Sequence, residues 1–259
     1  MKINRIMAMA AGLVCCGSVI AAEEFSFAAA EAWQNPKMLE VKGNSLVVNG
    51  PKQLVGKKLI KVPEGGDLKI TGIFRAVEGT PADTVYIGFR AYDANRKEFQ
   101  HVNVHPIAGT ATKVVADAKK GDTFIMVADA SKWDNRKSVV WGAKDDLSDL
   151  PNYNTLPAVS KIEKAGEAWK VTFKKVLPVN IAKDTGVRMH EPGGYMYYTF
   201  VTTANNFANP PRNTNKKAIW PHVKYVRFLV LANWRHNKEA KMEMIDPKVT
   251  IILPQSGNK

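Results

Sequence analysis

The chain has 259 residues and carries 37 lysines and arginines against 24 aspartates and glutamates, which gives a net charge of +13 at pH 7. An excess of this size favours anionic partners such as acidic or sulfated polysaccharide, lipopolysaccharide or membrane phosphate; solubility is the alternative reason for it. Both cysteines, Cys15 and Cys16, lie close to the N terminus, which excludes a disulfide or a thiolate metal site from the rest of the chain.

The first residues have the pattern of a secretory signal peptide. Two basic residues are followed by an apolar run that ends in small residues. We expect cleavage after Ala21 or Ala22, which makes residues 1–21 the signal peptide. The alternative is a membrane anchor, but the run is short for a spanning helix and is interrupted by Gly12 and Gly17.

Export sets the expected location and narrows the partners. The mature chain is predicted to be periplasmic or extracellular, without a transmembrane segment. After loss of Lys2 and Arg5 it keeps 35 basic and 24 acidic side chains, a charge of +11. No nucleic-acid-binding motif is present and export removes the usual nucleic-acid targets, so we expect no nucleic-acid partner.

The first half of the mature chain has the pattern of β-strands separated by turns. Residues 68–76 and 84–92 alternate between apolar and polar side chains, and the turn between them contains Gly79 and Pro81. We expect these two strands to pair antiparallel.

The strand at residues 84–92 has an unusual second face. One face is apolar and is predicted to lie in the core: Val85, Ile87, Phe89 and Ala91. The other face carries Tyr86, Gly88, Arg90 and Tyr92, so two aromatic rings and a guanidinium stand where polar surface residues are expected.

The middle of the chain separates two similar halves. Residues 109–184 contain strand signals of their own around a polar loop at 143–155. We interpret them as a small β subdomain inserted in a loop of the main domain, because insertions at loop tips are well tolerated. The main domain then comprises residues 22–108 and 185–259.

The last part of the chain returns to strand patterns. Residues 194–201 are rich in aromatic and β-branched side chains, and the apolar run at 222–232 fits a central strand buried on both faces. The polar loop at 203–221 is long enough to predict a function or disorder, and Trp220 suggests that it is tethered. No long helical period appears, which favours an all-β sandwich.

Several segments, taken in order, resemble a known family: Trp33, residues 86–94, residues 226–234 and residues 245–249. The pattern is similar to the jelly-roll, galactose-binding-like carbohydrate-binding modules of exported bacterial proteins, over residues 30–105 and 185–255. This resemblance implies a jelly-roll β-sandwich, non-catalytic sugar binding and, in many members, a structural calcium ion.

No calcium motif is evident in the sequence. Asp93, Glu243 and Asp246 are candidate oxygen ligands or, alternatively, ordinary surface carboxylates. No cofactor and no metal site are therefore assigned, with structural calcium kept as an open alternative.

Sugars bind through aromatic rings and planar polar groups, and arginine adds bidentate recognition of carboxylate or sulfate. We predict one carbohydrate-binding surface from residues with this chemistry on neighbouring strands: Tyr86, Arg90, Tyr92, Arg188, His190, Tyr195 and Tyr197. The alternative is that this face packs under the insert as a second core. In the insert, Trp133 and Tyr153 are predicted to be exposed binding residues, and Trp141 and Trp169 to be core.

His101 and His105 have the spacing of a helical metal site. The Val/Asn alternation between them predicts a strand instead, on which the two side chains lie about 13 Å apart, too far for one ion.

The predicted function is non-catalytic binding of a polysaccharide, anionic in view of the charge, with no catalytic residue assigned. One alternative is a polysaccharide lyase in which Arg188, His190, Tyr195 and Tyr197 abstract a proton beside a uronate carboxylate. The other is a structural envelope or adhesion protein without a small ligand.

Overall fold

The computed structural model describes residues 23–204, 207–212 and 219–254. The predicted signal peptide and part of the predicted loop at 203–221 lie outside the described residues. The strands preceding the insert are β1 (Glu24–Ser26), β2 (Glu40–Lys42), β3 (Ser45–Asn49), β4 (Lys52–Val55), β5 (Ile60–Lys61), β6 (Asp67–Ala76), β7 (Thr84–Tyr92) and β8 (Glu98–Phe99).

The remaining strands form the insert and the second half of the main domain. They are β9 (Thr112–Lys113), β10 (Phe124–Val127), β11 (Ser138–Trp141), β12 (Val159–Ala165), β13 (Ala168–Phe173), β14 (Gly186–His190), β15 (Met196–Thr202), β16 (Phe207–Ala208), β17 (Tyr225–Ala232) and β18 (Lys241–Ile252). Short 3-10 helices span Ala30–Ala32, Pro36–Met38 and His101–Asn103.

The main domain is a jelly roll built from eight principal strands. They pair as one long hairpin folded back on itself: β3 with β18, β4 with β17, β6 with β16 and β7 with β15. Rolling up this hairpin brings β6 beside β18 and β7 beside β17, which creates two antiparallel sheets. The predicted all-β sandwich fold is therefore confirmed.

The first sheet runs β16-β6-β18-β3-β2, and the second runs β15-β7-β17-β4, with β5 and β8 beside β17 and β7. The predicted pairing of β6 with β7 is wrong, because these strands lie in opposite sheets. The alternation predicts only that each strand has one buried face. Two such strands can bury these faces either side by side in one sheet or opposite each other across the core.

The core lies between the two sheets and is centred on three aromatic rings. The rings of Phe27, Trp33 and Phe228 have centroids 5.0–5.5 Å apart. Trp33 is fully buried, and its indole nitrogen donates a 3.0 Å hydrogen bond to the carbonyl oxygen of Phe27. The inward residues of β7 predicted from the alternation (Val85, Ile87, Phe89, Ala91) are each at most 2% exposed.

The insert has a hydrophobic core of its own. Strands β10, β13 and β12 form one three-stranded sheet, and β11, β14 and β9 form another. A bridge between Val114 and Val127 links the two sheets. Trp141 and Trp169 lie partly buried against this core, as predicted.

Strand β14 belongs to the insert and not to the sandwich, although the predicted boundary placed it in the second half of the main domain. It pairs with β11 and β9, and Val187 and Met189 are fully buried in the insert core. At its start, a Cβ on Gly186 would lie 2.1 Å from the carbonyl oxygen of Ala143, so only glycine allows the strand to approach this loop.

Within the described residues, no helix is long and apolar enough to cross a membrane.

Candidate functional site

The outer surface of the second sheet carries most of the predicted binding residues. Side chains from six strands lie in rows across it, because residues opposite each other in the register point to the same side. The rows are Phe200, Tyr86, Leu231 and Gln53; then Tyr197, Gly88, Leu229 and Val55; then Arg90 and Arg227; and last Glu98, Tyr92, Tyr225 and Lys61.

The aromatic rings of the first two rows form a continuous surface together with that of Tyr195. The ring of Tyr86 lies 5.2 Å from that of Tyr197 and 5.6 Å from that of Phe200, and Tyr195 meets Tyr197 edge-on at 6.3 Å. Phe200 is 59% exposed, and the tyrosines are half-buried. We call this set, with Trp234, the outer aromatic face: Tyr86, Tyr195, Tyr197, Phe200 and Trp234.

Under these rings lies an apolar floor. Val55, Leu229 and Leu231 are at most 6% exposed, although they point away from the sandwich core. They are covered by tyrosines of the outer aromatic face and by Trp234, and no residue of the insert belongs to this cluster. The hydroxyl of Tyr195 reaches across the floor toward Oε1 of Gln53, at 3.4 Å.

Gly88 lets the aromatic rows come together. A Cβ at this position would lie 2.3 Å from the carbonyl oxygen of Met196, because strand β15 shifts register between Tyr197 and Thr199 and presses on β7 there. Any side chain at residue 88 would push β15, and with it Tyr197, away from the sheet.

Beyond the rings, the face is charged. Nη1 of Arg90 lies 3.2 Å from Oε2 of Glu98, and the hydroxyl of Tyr92 lies 3.4 Å from the same oxygen. Burial raises the pKa of Tyr92, and the Glu98 carboxylate raises it further. Arg227 donates to the main-chain carbonyls of Gly56 and Lys57.

Arg188 and His190 are not part of this surface, so the prediction that they share it is wrong. They lie on β14 in the insert and are 2% and 0% exposed. Arg188 forms a bidentate pair with Asp149, at 2.7 and 3.1 Å, and its Nε donates to Nε2 of His190 at 2.8 Å.

The tautomer of His190 follows from its partners. Nε2 accepts from a guanidinium, so Nδ1 carries the hydrogen and donates to the carbonyl of Val102 at 2.5 Å. Burial lowers the pKa of His190 to about 4, and the positive charge of Arg188 also lowers it. This neutral imidazole is enclosed and bonded at both ring nitrogens, so it offers no free hydrogen-bonding group at the surface.

These residues belong to a larger set that ties the insert to the sandwich. Asn152 donates to Asp149 at 2.7 Å, and its main chain exchanges hydrogen bonds with Asn103 in the 3-10 helix of the sandwich side. We call this set the buried polar network: Asn103, Asp149, Asn152, Arg188 and His190. Burial opposes ionisation of Asp149, but hydrogen bonds from Arg188 and Asn152 lower its pKa.

Trp133 and Tyr153 also have structural partners. The indole nitrogen of Trp133 donates to the carbonyl of Thr110 at 2.9 Å, and its half-buried ring packs against the insert core. The Tyr153 hydroxyl donates to Asp93 at 2.7 Å, which together with burial raises its pKa. Neither residue lies on the outer aromatic face.

The three candidate calcium ligands do not converge. Asp93 follows the second sheet, where it accepts hydrogen bonds from Tyr153 and from the amides of Asn95 and Lys97. Glu243 and Asp246 lie in the first sheet and pair with other side chains, Arg75 and Lys248.

His101 and His105 do not lie on a strand, so that prediction is wrong. Residues 101–103 form a 3-10 helix, and the two imidazoles stack in parallel with centroids 3.7 Å apart. Trp220 packs edge-on against both rings and is 8% exposed, so the predicted tether of its loop is present. No group of three or more metal-ligating side chains occurs in the part of the chain that the structure describes.

Several outer-surface residues that the site uses were not singled out by the sequence analysis, among them Glu98, Phe200, Arg227 and Trp234. Arg227 lies in the run at 222–232, which was interpreted as buried on both faces. Its two-residue spacing from Tyr225 and Leu229 was the signal that one side of this strand becomes polar at its start. Phe200 could be placed only through the register shift in β15.

The chain matches no family model, no curated protein and no solved structure. A functional proposal therefore rests on the chemistry of the outer surface.

Proposed function

We propose that this protein is exported and binds polysaccharide on the outer surface of its second sheet without catalysing a reaction. The single observation that carries this proposal is the outer aromatic face. Four of its rings (Tyr86, Tyr195, Tyr197 and Phe200) are in mutual contact, Trp234 packs against the same apolar floor, and Phe200 is mostly exposed.

Such a surface suits the hydrocarbon faces of sugar rings. Aromatic side chains bury large apolar areas at small entropic cost, and tyrosine adds a hydroxyl for the sugar oxygens. The alternative occupant of an exposed apolar patch is a protein, but the guanidinium groups of Arg90 and Arg227 and the carboxylate of Glu98 follow directly after the rings. Mixed rings and planar polar groups are the combination that sugars require.

The alternative function, a polysaccharide lyase, lacks two of its proposed residues on this surface. It needs Arg188, His190, Tyr195 and Tyr197 around one substrate, and the first two are enclosed in the buried polar network. We therefore keep non-catalytic binding as the proposal and treat cleavage as an outcome of the test.

The test is a glycan array with the chain from residue 23 onward, followed by calorimetric titration of each hit. The double variant Tyr86→Ala/Phe200→Ala is expected to lose binding by at least tenfold, because it removes two stacking rings at once; by analogy, a nucleobase stacked on an aromatic residue contributes about 1–3 kcal/mol. The matched control is Phe124→Ala, which removes a ring that is 38% exposed on the insert.

Each other outcome contradicts part of the proposal. Equal binding by the double variant and the control refutes the assignment of the face. Unsaturated products in a parallel absorbance assay indicate a lyase, and silence in both assays indicates a structural or adhesion protein. Export is tested by the mass of the protein recovered outside the cytoplasm, which should correspond to cleavage after Ala21 or Ala22.

A further inference from the structure

Two guanidinium groups lie directly opposite each other on the outer surface. Arg90 on β7 and Arg227 on β17 are register partners, and both point outward beside the aromatic rows. Like charges at opposed positions of neighbouring strands destabilise a sheet. We call this pair the guanidinium row.

The guanidinium row has one carboxylate for two positive charges. Glu98 pairs with Arg90 at 3.2 Å, whereas no described carboxylate lies within ion-pair distance of Arg227, which donates to neutral carbonyls only. The net charge of Arg90, Arg227 and Glu98 is therefore +1. This charge is only partly exposed to water, since the side chains of Arg90 and Glu98 are 24% and 33% exposed.

The donors of Arg90 are largely unused. A guanidinium has five N–H groups, and among the described residues the N–H groups of Arg90 engage only Glu98, through Nη1, and the hydroxyl of Tyr92. Its Nε is buried and has no acceptor among the described residues. A buried donor without an acceptor is costly, so native proteins seldom retain one without a reason.

Aromatic rings border both guanidinium groups. The centre of the Arg90 guanidinium lies 5.6 Å from the ring of Tyr195, and that of Arg227 lies 6.0 Å from the ring of Tyr92. These contacts hold the planar groups close to the surface on which a sugar chain would stack.

We infer that the guanidinium row is a subsite for a sugar-borne oxyanion, the carboxylate of a uronate or the sulfate of a sulfate ester. This inference rests on the proposed function, and it orients the glycan. Sugar rings stack on the outer aromatic face while the oxyanion of a neighbouring residue accepts hydrogen bonds from the terminal Nη groups of Arg90 and Arg227, since the buried Nε of Arg90 is out of its reach. Glu98 competes with the ligand for Arg90.

The test compares glycans that differ only in the anionic group. The first pair is an oligogalacturonate of about six residues and its carboxyl-reduced form; the second is a carrageenan oligosaccharide and the desulfated chain. For wild-type protein we expect the anionic member of one pair to bind at least tenfold more tightly, since hydrogen bonds to a charged acceptor are stronger than those to a neutral one. The pair that responds identifies the oxyanion.

The variants Arg90→Gln and Arg227→Gln are each expected to lower this preference by about tenfold and to leave binding of the neutral member almost unchanged. The control Lys164→Gln/Lys174→Gln removes two exposed charges from the insert, and it should retain the preference. If the control loses the preference as well, the effect is general attraction to a basic protein and the subsite is refuted.

Glu98→Gln gives a result of opposite sign. It frees Arg90 and is expected to increase the preference for the anionic member by a few fold, and a decrease overturns the inference. The two proposals fail separately: equal binding of anionic and neutral glycans by the wild type refutes the subsite alone, whereas absence of any glycan binding refutes the proposed function.

Discussion

Arg90 and Arg188 occupy two regions of the molecule with opposite chemistry, although both were predicted to bind sugar. Arg188 is enclosed and saturated: it binds both oxygens of Asp149, the carbonyl of Lys144 and the ring of His190. Arg90 lies on a half-exposed sheet surface, has one acidic partner and keeps a buried Nε without an acceptor. An arginine whose N–H donors are all hydrogen-bonded has a structural role, whereas an arginine with unused donors is available to a ligand. The residue type alone does not distinguish the two.

The largest effect on stability is expected from removing one partner of the buried Arg188–Asp149 pair. Asp149→Ala leaves the Arg188 charge enclosed without a counterion, so we expect the free energy of unfolding to fall by about 3–5 kcal/mol. Urea unfolding measures this change. The double variant Asp149→Leu/Arg188→Met should recover a large part of the loss, and a single variant as stable as the wild type would contradict the assigned role.

The pH dependence of stability should report His190. Its pKa falls from an ordinary 6.5 to about 4 on folding, so the unfolded chain binds the proton more tightly than the native protein between these values. Unfolding free energy should therefore rise with pH from about 4 to about 6.5, by about 3 kcal/mol at most. Thermal or urea unfolding across this range measures the slope.

The control for the pH experiment is His190→Gln, which keeps an acceptor and a donor but does not titrate. The slope between pH 4 and 6.5 should flatten in this variant. A steep fall that remains below pH 4 would then come from carboxylates of lowered pKa, such as Asp149, whose stabilisation is lost as pH falls through their folded pKa.

On the outer surface, Gly88→Ala should destabilise the protein less than Asp149→Ala does, but more than the substitution of an exposed residue. The new methyl group meets main-chain atoms of β15, so we expect destabilisation of about 1–3 kcal/mol and weakened glycan binding through displacement of Tyr197. Gly194→Ala is the matched control, because a Cβ there meets nothing within 4 Å. Equal stability of the two variants would refute the packing argument.

The smallest effect is expected from Tyr153→Phe. It deletes the hydroxyl that binds Asp93 at 2.7 Å and should lower stability by about 1 kcal/mol, because the pair is partly solvated. Glycan affinity should not change, since Tyr153 is not part of the outer aromatic face and its hydroxyl is bonded to Asp93. A loss of affinity without a loss of stability would restore Tyr153 as a binding residue.

Local sequence patterns predicted which side chains of a strand are buried better than they predicted which strands pair with each other. The alternation at residues 84–92 correctly separated the core face from the outward Tyr86, Arg90 and Tyr92. It did not reveal that β7 lies between β15 and β17, since pairing over more than a hundred residues depends on the whole roll and not on local period.

The same limit explains the error at Arg188 and His190. Their spacing of two placed them correctly on one side of a strand, but β14 joins the insert, and the loop containing Asp149 covers that side. A polar side chain that is buried and fully bonded cannot be distinguished in sequence from one that faces water, because its partners lie about forty to ninety residues away.

The position of the insert has a consequence for how the protein reaches its native state. Strands β7 and β15 are immediate neighbours, yet 103 residues separate Tyr92 from Met196. Closing so long a loop is entropically unfavourable while its contents are unstructured, and late-forming non-local pairings slow folding. Folding of the insert around its own core shortens the effective connection between β7 and β15. We therefore expect these two strands of the jelly roll to pair only after the insert has folded.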